Sequence, residues 1–148
     1  LVDFKGVVRS IPTNKIVFNY RSIELPKDLI FLSATFKGKE KKGEEISNYM
    51  NELNIIKNMA QPTKIKTGGS TFKNPINQTD KKVWELIRSS VLNEVSYGDA
   101  AISEKHANFF VNKKNAKSAD MKSLISFVKK KVKDHTGVKL ELEIVVVE

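Results

Sequence analysis

Gly68–Pro75, with the sequence GGSTFKNP, brings two glycines, a serine, a lysine and an asparagine together in one short stretch. Adjacent glycines let the backbone adopt positive φ angles and let a ligand approach the main chain closely. Ser70 follows the glycine pair directly, while Lys73 and Asn74 add a cation and an amide that can bind phosphate oxygens. Composition alone fits an ordinary β-turn with a solvated lysine equally well. The neighbouring segments must decide between a turn and a ligand site.

The segments around this stretch alternate between helical and extended patterns. Helical spacing predicts one helix over Glu44–Met59, a second that starts near Asp80, and a third from the N-cap candidate Ser118 to the stop at Gly137. We expect the second helix to bury one face, formed by Val83, Trp84, Ile87 and Val91. Strand patterns occupy the other segments, at Asp28–Phe36, Ala100–Ile102, Asn108–Val111 and Val138–Val147. With neither a glycine-rich dinucleotide fingerprint nor a phosphate-loop lysine motif, this order predicts an α+β fold of mixed α/β layers, with helices packed on a small sheet.

Composition narrows the classes of protein and site. The 148 residues contain no cysteine and only two histidines, so we expect no disulfide, no thiolate chemistry and no metal site. No apolar stretch approaches the roughly 20 residues that span a bilayer, and the N-terminus lacks a signal-peptide pattern. We therefore expect a cytoplasmic protein without a membrane partner. The first residue is not methionine, and we expect the chain to be a portion of a longer protein.

The net charge of +9 raises the prospect of an anionic partner. One hypothesis is a basic module that binds single-stranded nucleic acid, because Phe72, Phe109 and Phe110 alternate with lysines. The chain has no recognised nucleic-acid motif, however, and these phenylalanines lie in segments that predict core packing. Simple solvation of the lysines also explains the charge. We therefore expect no nucleic-acid partner.

Four stretches, in order, carry a resemblance to one family. Gly69–Pro75 is similar to the G-S-x-F-K-N-P signature of the UDP-N-acetylenolpyruvoylglucosamine reductases, also called UDP-N-acetylmuramate dehydrogenases. Phe18–Ser22 resembles the family element F-x-Y-R-x-S, and Gly98–Asn112 resembles its stretch G-x-A…S-E-K-H-A-N-F-x-V-N. Gly137–Glu143 resembles the terminal G-V-x-L-E-P-E-V element, with Leu142 where the family usually has proline.

The resemblance implies a domain organisation and a set of partners. Residues 1–60 correspond to the C-terminal end of an FAD-binding domain, and residues 61–148 correspond to a domain that binds the UDP-sugar substrate. The N-terminal flavin-binding half of such an enzyme is missing from this sequence. The resemblance therefore implies that the chain works with that missing region and is inactive without it.

The resemblance also implies a reaction, which belongs to peptidoglycan precursor synthesis. In this family, NADPH reduces FAD, and the flavin passes hydride to the methylene carbon of UDP-N-acetylglucosamine enolpyruvate, which gives UDP-N-acetylmuramate. Mapped onto the motifs, Ser70 is the proton donor, Arg21 binds the substrate carboxylate, and Glu143 polarises or orients the site. Strand spacing alone leaves Glu141 and Glu143 as alternatives, because both point to the same face; the family match favours Glu143.

Further roles follow from the same match. Asn74 is expected to contact the diphosphate, with Lys73 nearby, and Gly69 and Tyr20 are expected to face the flavin. Tyr20 also counts as a substrate-binding candidate beside Arg21, although core packing explains it equally well. His106 is expected to line the uridine pocket; a surface or structural role is the alternative for a lone histidine.

Overall fold

The computed structural model describes residues 1–92 and 94–147. Asn93 and Glu148, the last position of the predicted domain 61–148, lie outside the described residues. The chain divides into two compact units, Leu1–Gly43 and Glu44–Glu148. The predicted boundary between residues 60 and 61 concerns the domains of a longer protein, and it stays a prediction.

The first unit contains two small antiparallel pairings. Strand β1 (Val2–Asp3) pairs with β4 (Leu29–Ile30), and β2 (Val17–Asn19) forms a hairpin with β3 (Ser22–Glu24). A single 3₁₀ turn, Thr13–Lys15, precedes the hairpin. The predicted strand over Asp28–Phe36 was wrong in extent, because only the two residues of β4 find a partner in β1. Phe31, Leu32 and Phe36 are exposed instead, which shows that β propensity without a pairing edge does not extend a strand.

Asp3 organises the turn that follows β1. Its carboxylate accepts hydrogen bonds from the backbone N–H groups of Lys5, at 3.0 Å, and Val7, at 2.9 Å. It also pairs with the Arg9 guanidinium at 3.0 Å. The Val7 N–H bond, followed by the Lys5 bond and the Arg9 charge, holds the pKa of Asp3 below its usual range, against the effect of burial. The turn is therefore fixed by an ionised carboxylate.

Helix α1 (Gly43–Ala60) confirms the predicted helix over Glu44–Met59. Glu44 and Glu45 lie in its first turn, where the helix dipole favours acids. None of its eighteen residues, all of which the structure describes, is buried. The Lys105 ammonium donates to the carbonyl of Asn58 at 3.0 Å, which satisfies one carbonyl in the last turn.

The second unit is built on a four-stranded antiparallel sheet. Its strands are β5 (Lys66–Ser70), β6 (Ser96–Tyr97), β7 (Ala100–Ile102) and β8 (Phe109–Asn112), and their order across the sheet is β5-β8-β7-β6. Strands β7 and β8 confirm two of the predicted strands, and the register pairs Ala101 with Val111. Helices packed on this small sheet confirm the predicted α+β class.

Helix α3 (Ser118–Thr136) packs on strands β6 and β7 of the sheet, and helix α2 (Val83–Ser90) packs against α3. The apolar core between them includes Phe72, Leu86, Ile87, Ala100, Phe110, Leu124, Val128 and Val132. Phe110 meets Phe72 edge to face, with ring centroids 5.7 Å apart. Burial of a phenylalanine side chain contributes about 1.5–3 kcal/mol to stability. The contact between these two rings therefore holds Phe72, two residues after the end of β5, against the sheet.

The first residues of α2 and α3 differ from the predicted ones. Helix α2 begins at Val83 rather than near Asp80, because the Lys82 N–H bonds to the Glu85 carboxylate at 2.7 Å and so caps the first turn there. The N-cap of α3 is Lys117 rather than Ser118, since its N–H bonds to Asp120 at 2.8 Å. Gly137 ends α3 with φ 75°, which confirms the predicted stop.

The buried face of α2 also differs from the prediction. Val83, Leu86 and Ile87 are buried, whereas Trp84 is 37% exposed and Val91 lies beyond the last turn. The prediction was therefore wrong for Trp84 and missed Leu86. An eight-residue helix has room for one buried stripe, and the i, i+3, i+4 spacing from Val83 selects Leu86 and Ile87.

The closing strand predicted over Val138–Val147 is reduced to one bridge, between Leu142 and Phe72. Val138 and Leu140 enter the core before it, while Val145 and Val147 are exposed after it. The pairing edge that follows β5 is only three residues long, which limits the ladder. Within residues 1–92 and 94–147, no helix is long and apolar enough to cross a bilayer.

Candidate active site

A β-bulge between β5 and β8 positions Ser70. Thr67 pairs with Val111 and Ser70 pairs with Phe109, so one strand holds an extra residue between the two pairs. Gly69 lies in this bulge with φ 87°, a conformation that side-chain-bearing residues rarely adopt. Thr67 braces the bulge, because its hydroxyl donates to the Phe110 carbonyl at 2.8 Å. Ser70 is half-buried at the end of the strand, where the glycine pair turns the main chain.

Asn108 fixes the two residues that follow Ser70. Its backbone carbonyl accepts from the Thr71 N–H at 2.7 Å. Its side-chain oxygen accepts from the Phe72 N–H at 3.0 Å, and its side-chain amide donates to the Phe72 carbonyl at 2.9 Å. Asn108 is only 4% exposed, so these bonds form away from water. The Asn108 side chain thus makes the two hydrogen bonds to Phe72 that the backbone of a neighbouring strand would otherwise make on this side.

The other side of the same segment pairs with residues 141–143. The Lys73 N–H donates to the Glu141 carbonyl, and the Glu143 N–H donates to the Thr71 carbonyl, each at 2.9 Å. Glu143 therefore lies opposite Thr71, one residue from Ser70. Glu141 is exposed and Glu143 is half-buried, which supports the choice of Glu143 that strand spacing had left open. The segments that hold the predicted catalytic residues Ser70 and Glu143 thus lie side by side, joined by the bridge between Phe72 and Leu142.

Lys73 and Asn74 continue from this pairing towards α2. Both are half-buried. The side-chain oxygen of Asn74 accepts from the N–H of Val83, the first residue of α2, at 3.0 Å. Asn74 therefore has a structural task, since it satisfies a helix N–H that has no partner within the helix. Its predicted contact with a diphosphate stays a prediction.

Tyr20 and Arg21 lie in the first unit, at the turn of the β2–β3 hairpin. Arg21 has φ 57°, the left-handed region that costs a non-glycine residue about 1–2 kcal/mol. Its guanidinium lies over the Tyr20 ring, 5.5 Å from the centroid. Both side chains are exposed, so Tyr20 is not a core residue of the hairpin. A two-residue hairpin turn requires positive φ values, which explains the backbone of Arg21, and its predicted substrate role stays a prediction.

His106 lies two residues before Asn108, in the connection between β7 and β8. Its Nδ1 accepts from the Asn108 N–H at 3.2 Å, so a neutral ring carries its proton on Nε2. The ring contacts Phe109 at 4.9 Å and Trp84 at 6.5 Å between centroids. Burial lowers the pKa of His106 against a hydrogen bond to its own backbone, which raises it, and the positive charge of Arg88 lowers it further. The imidazole is therefore a neutral hydrogen-bond donor near pH 7.

Acidification should weaken the fold through His106. Its folded pKa is lowered, so the unfolded state binds more protons as pH falls below about 6.5, and stability falls with it. Thermal unfolding of the chain between pH 7.5 and pH 5 should show this loss, and H106Q should reduce it. The matched control is H135Q, which removes an exposed histidine; a reduction as large as that in H106Q would show a general effect of histidine removal. An unchanged slope in H106Q would contradict the assignment.

Asn108 is the site residue that the sequence did not single out. Its signal was an asparagine directly before the apolar run Phe109–Val111, a position where a polar side chain becomes buried and needs partners.

Two further observations limit the kinds of site that residues 1–92 and 94–147 can form. No group of three or more His, Cys, Asp or Glu side chains there is placed to hold a metal ion. A cavity of about 230 Å³ beside the end of α2 is lined by none of the predicted site residues.

Comparison with known proteins agrees with this architecture. Residues 61–147 match the sequence profile of the C-terminal domain of UDP-N-acetylenolpyruvoylglucosamine reductases. The reductase of Pelagibacter ubique (strain HTCC1062) is 59% identical over 143 residues, which cover 97% of this chain and 47% of that protein. The reductase of Rickettsia bellii (strain RML369-C) is 43% identical over 143 residues, covering 97% and 46%.

A solved structure extends the likeness to the fold. The crystal structure of UDP-N-acetylenolpyruvylglucosamine reductase (MurB) from Thermus caldophilus superposes with a TM-score of 0.67 at 33% sequence identity. That match covers 88% of this chain and 45% of the Thermus chain. The chain spans about half the length of the curated relatives it matches. It belongs to the UDP-N-acetylenolpyruvoylglucosamine reductase family.

Proposed function

We propose that this chain supplies the substrate-binding part of an oxidoreductase that converts UDP-N-acetylglucosamine enolpyruvate to UDP-N-acetylmuramate in peptidoglycan precursor synthesis. The enzyme uses FAD and NADPH, and the flavin-binding region corresponds to the part of the relatives' length that this chain does not span. The observation that carries the proposal is the backbone pairing of residues 71–73 with residues 141–143, which brings the segments that hold Ser70 and Glu143 side by side. Two sequence-distant family motifs thereby meet at one place in the second unit.

Ser70 is assigned the proton transfer. FAD, when reduced by NADPH, supplies the hydride that reaches the methylene carbon of the enolpyruvyl ether. The Ser70 hydroxyl then donates its proton to the adjacent carbon, which carries the negative charge together with the carboxylate. A serine hydroxyl is a weak acid, so the half-buried position at the bulge, partly shielded from water, favours this step.

Glu143 and Arg21 are assigned to the two ends of the reacting group. The half-buried Glu143 carboxylate, one residue from Ser70 across the ladder, orients the site. Arg21 binds the substrate carboxylate, because a planar guanidinium forms paired bonds to it and stabilises the enolate-like intermediate. Lys73 and Asn74 bind the diphosphate, and His106 donates from Nε2 towards the uridine.

The main chain at Gly69 is open to a ligand. A methyl group added at Gly69 would meet no atom within 4 Å, so the main chain beside Ser70 is open on that side. Tyr20 and Gly69 are the residues of this chain assigned to the flavin. The nucleic-acid alternative loses its support, because Phe72, Phe109 and Phe110 are all buried and cannot stack on bases. A cytoplasmic location is part of the proposal.

A chimaera tests the function directly. This chain should replace the matching half of the Pelagibacter ubique reductase, to which it is 59% identical. We expect a yellow protein that oxidises NADPH only when the enolpyruvyl nucleotide is supplied, with the intact relative as the positive control. A chimaera that binds FAD and is reduced by NADPH, yet never passes electrons to the nucleotide, would contradict the proposal.

A further inference from the structure

The positive charge of the chain is concentrated in one segment. Residues 113–139, which include α3, contain nine lysines and two aspartates, an excess of seven positive charges. The rest of the chain contains seventeen basic and fifteen acidic residues, an excess of two. All nine lysines are exposed. Simple solvation does not require this concentration, since a balanced surface would keep the protein equally soluble.

Helix α3 presents four of these lysines along one side. Lys122, Lys129 and Lys133 follow i, i+7, i+11 spacing, which places them on one face, and Lys130 lies beside them. We define these four as the basic face. It is roughly 16 Å long at 1.5 Å per residue. The apolar side of α3 is already used, because Leu124, Ile125, Val128 and Val132 are buried in the core.

The composition of the basic face narrows the class of anionic partner that it can bind. The face has no arginine, which is the residue suited to paired contacts with base edges. Nor does it have an aromatic side chain; the nearest, Phe127, is half-buried under the Lys131 ammonium at 5.7 Å. Stacking of unpaired bases therefore has no platform there. Point charges on flexible stems, arranged along a straight helix, suit a flat anionic surface that has no fixed pattern.

We propose that the basic face of α3 binds the surface of an anionic lipid bilayer by electrostatic attraction, without insertion. The sequence-based expectation of no membrane partner rested on the lack of a spanning segment, and a peripheral contact needs none. This proposal stands on the charge of α3 and is independent of the proposed reaction. The attraction should weaken steeply with salt, because exposed charges are screened within about 10 Å at 0.1 M ionic strength.

Co-sedimentation of the 148-residue chain with vesicles tests the proposal. Vesicles of phosphatidylcholine mixed with phosphatidylglycerol are compared with pure phosphatidylcholine, at low and at physiological salt. We expect binding only to the anionic vesicles. The variant K129Q/K130Q/K133Q should lower the partition coefficient roughly a hundredfold. Circular dichroism and the melting temperature should show that this variant is folded.

The matched control is K37Q/K39Q/K41Q, which removes the same charge from three exposed lysines in the first unit. It should bind within about threefold of the wild type. Equal losses in the two variants would show a general charge effect and overturn the proposal. Binding to pure phosphatidylcholine, no binding to either vesicle, or tighter binding to duplex DNA at equal phosphate concentration would also overturn it.

Discussion

Replacement of Ser70 by alanine in the chimaera should slow flavin reoxidation by the enolpyruvyl nucleotide by roughly 10²–10⁴-fold, the usual contribution of a general acid. Reduction of the flavin by NADPH should keep its wild-type rate, because that step needs no proton from Ser70. The fold should survive, since the backbone bonds that place this residue come from the bulge and from Asn108 rather than from the Ser70 hydroxyl.

Stopped-flow absorbance separates the two half-reactions. The enzyme is first reduced with NADPH, and the return of oxidised flavin is then followed after the nucleotide is added. S123A, at an exposed position of α3, is the matched control and should behave as the wild type. Normal reoxidation in S70A would remove Ser70 from the proton transfer. Equal slowing of both half-reactions would instead indicate a folding or assembly defect.

The sequence predicted those elements whose pattern is local. Helices α1 and α3 follow apolar spacing, and the C-terminal glycine of α3 adopts the left-handed geometry that its position requires. Strands β7 and β8 follow from short apolar runs on either side of a polar bend. Local pattern and tertiary packing agree at these elements, so one sequence is enough to find them.

The predictions differ from the structure where contacts with a distant part of the chain determine the local structure. Val138–Val147 has strong strand propensity, yet only Leu142 meets a pairing edge, at Phe72. Trp84 fits a helical stripe as well as Leu86 does, and the shape of the core against α3 selects Leu86. Family motifs identified Ser70 and Glu143 as candidates. Their juxtaposition depends on a ladder between segments about seventy residues apart, which no local pattern reports.

Replacement of Asn108 by alanine should destabilise the chain by about 2–5 kcal/mol, measured by urea unfolding. The change leaves the N–H and the carbonyl of Phe72 buried without their partners, at about 1–3 kcal/mol for each group. N115A, which truncates an exposed asparagine, is the matched control and should lie within about 0.5 kcal/mol of the wild type. A loss in N108A no larger than that in N115A would show that water or a rearranged strand replaces these bonds.

N108D tests the direction of the bonds as well as their presence. An aspartate of the same shape still accepts from the Phe72 N–H, but it donates to the Phe72 carbonyl only when protonated. Burial and the facing carbonyl should raise its folded pKa above the usual value of about 3.9. The folded state then binds more protons than the unfolded state above that pH, so the stability of N108D relative to the wild type should fall as pH rises. A pH-independent deficit would mean that the Asn108 side-chain amide does not act as a donor to the Phe72 carbonyl.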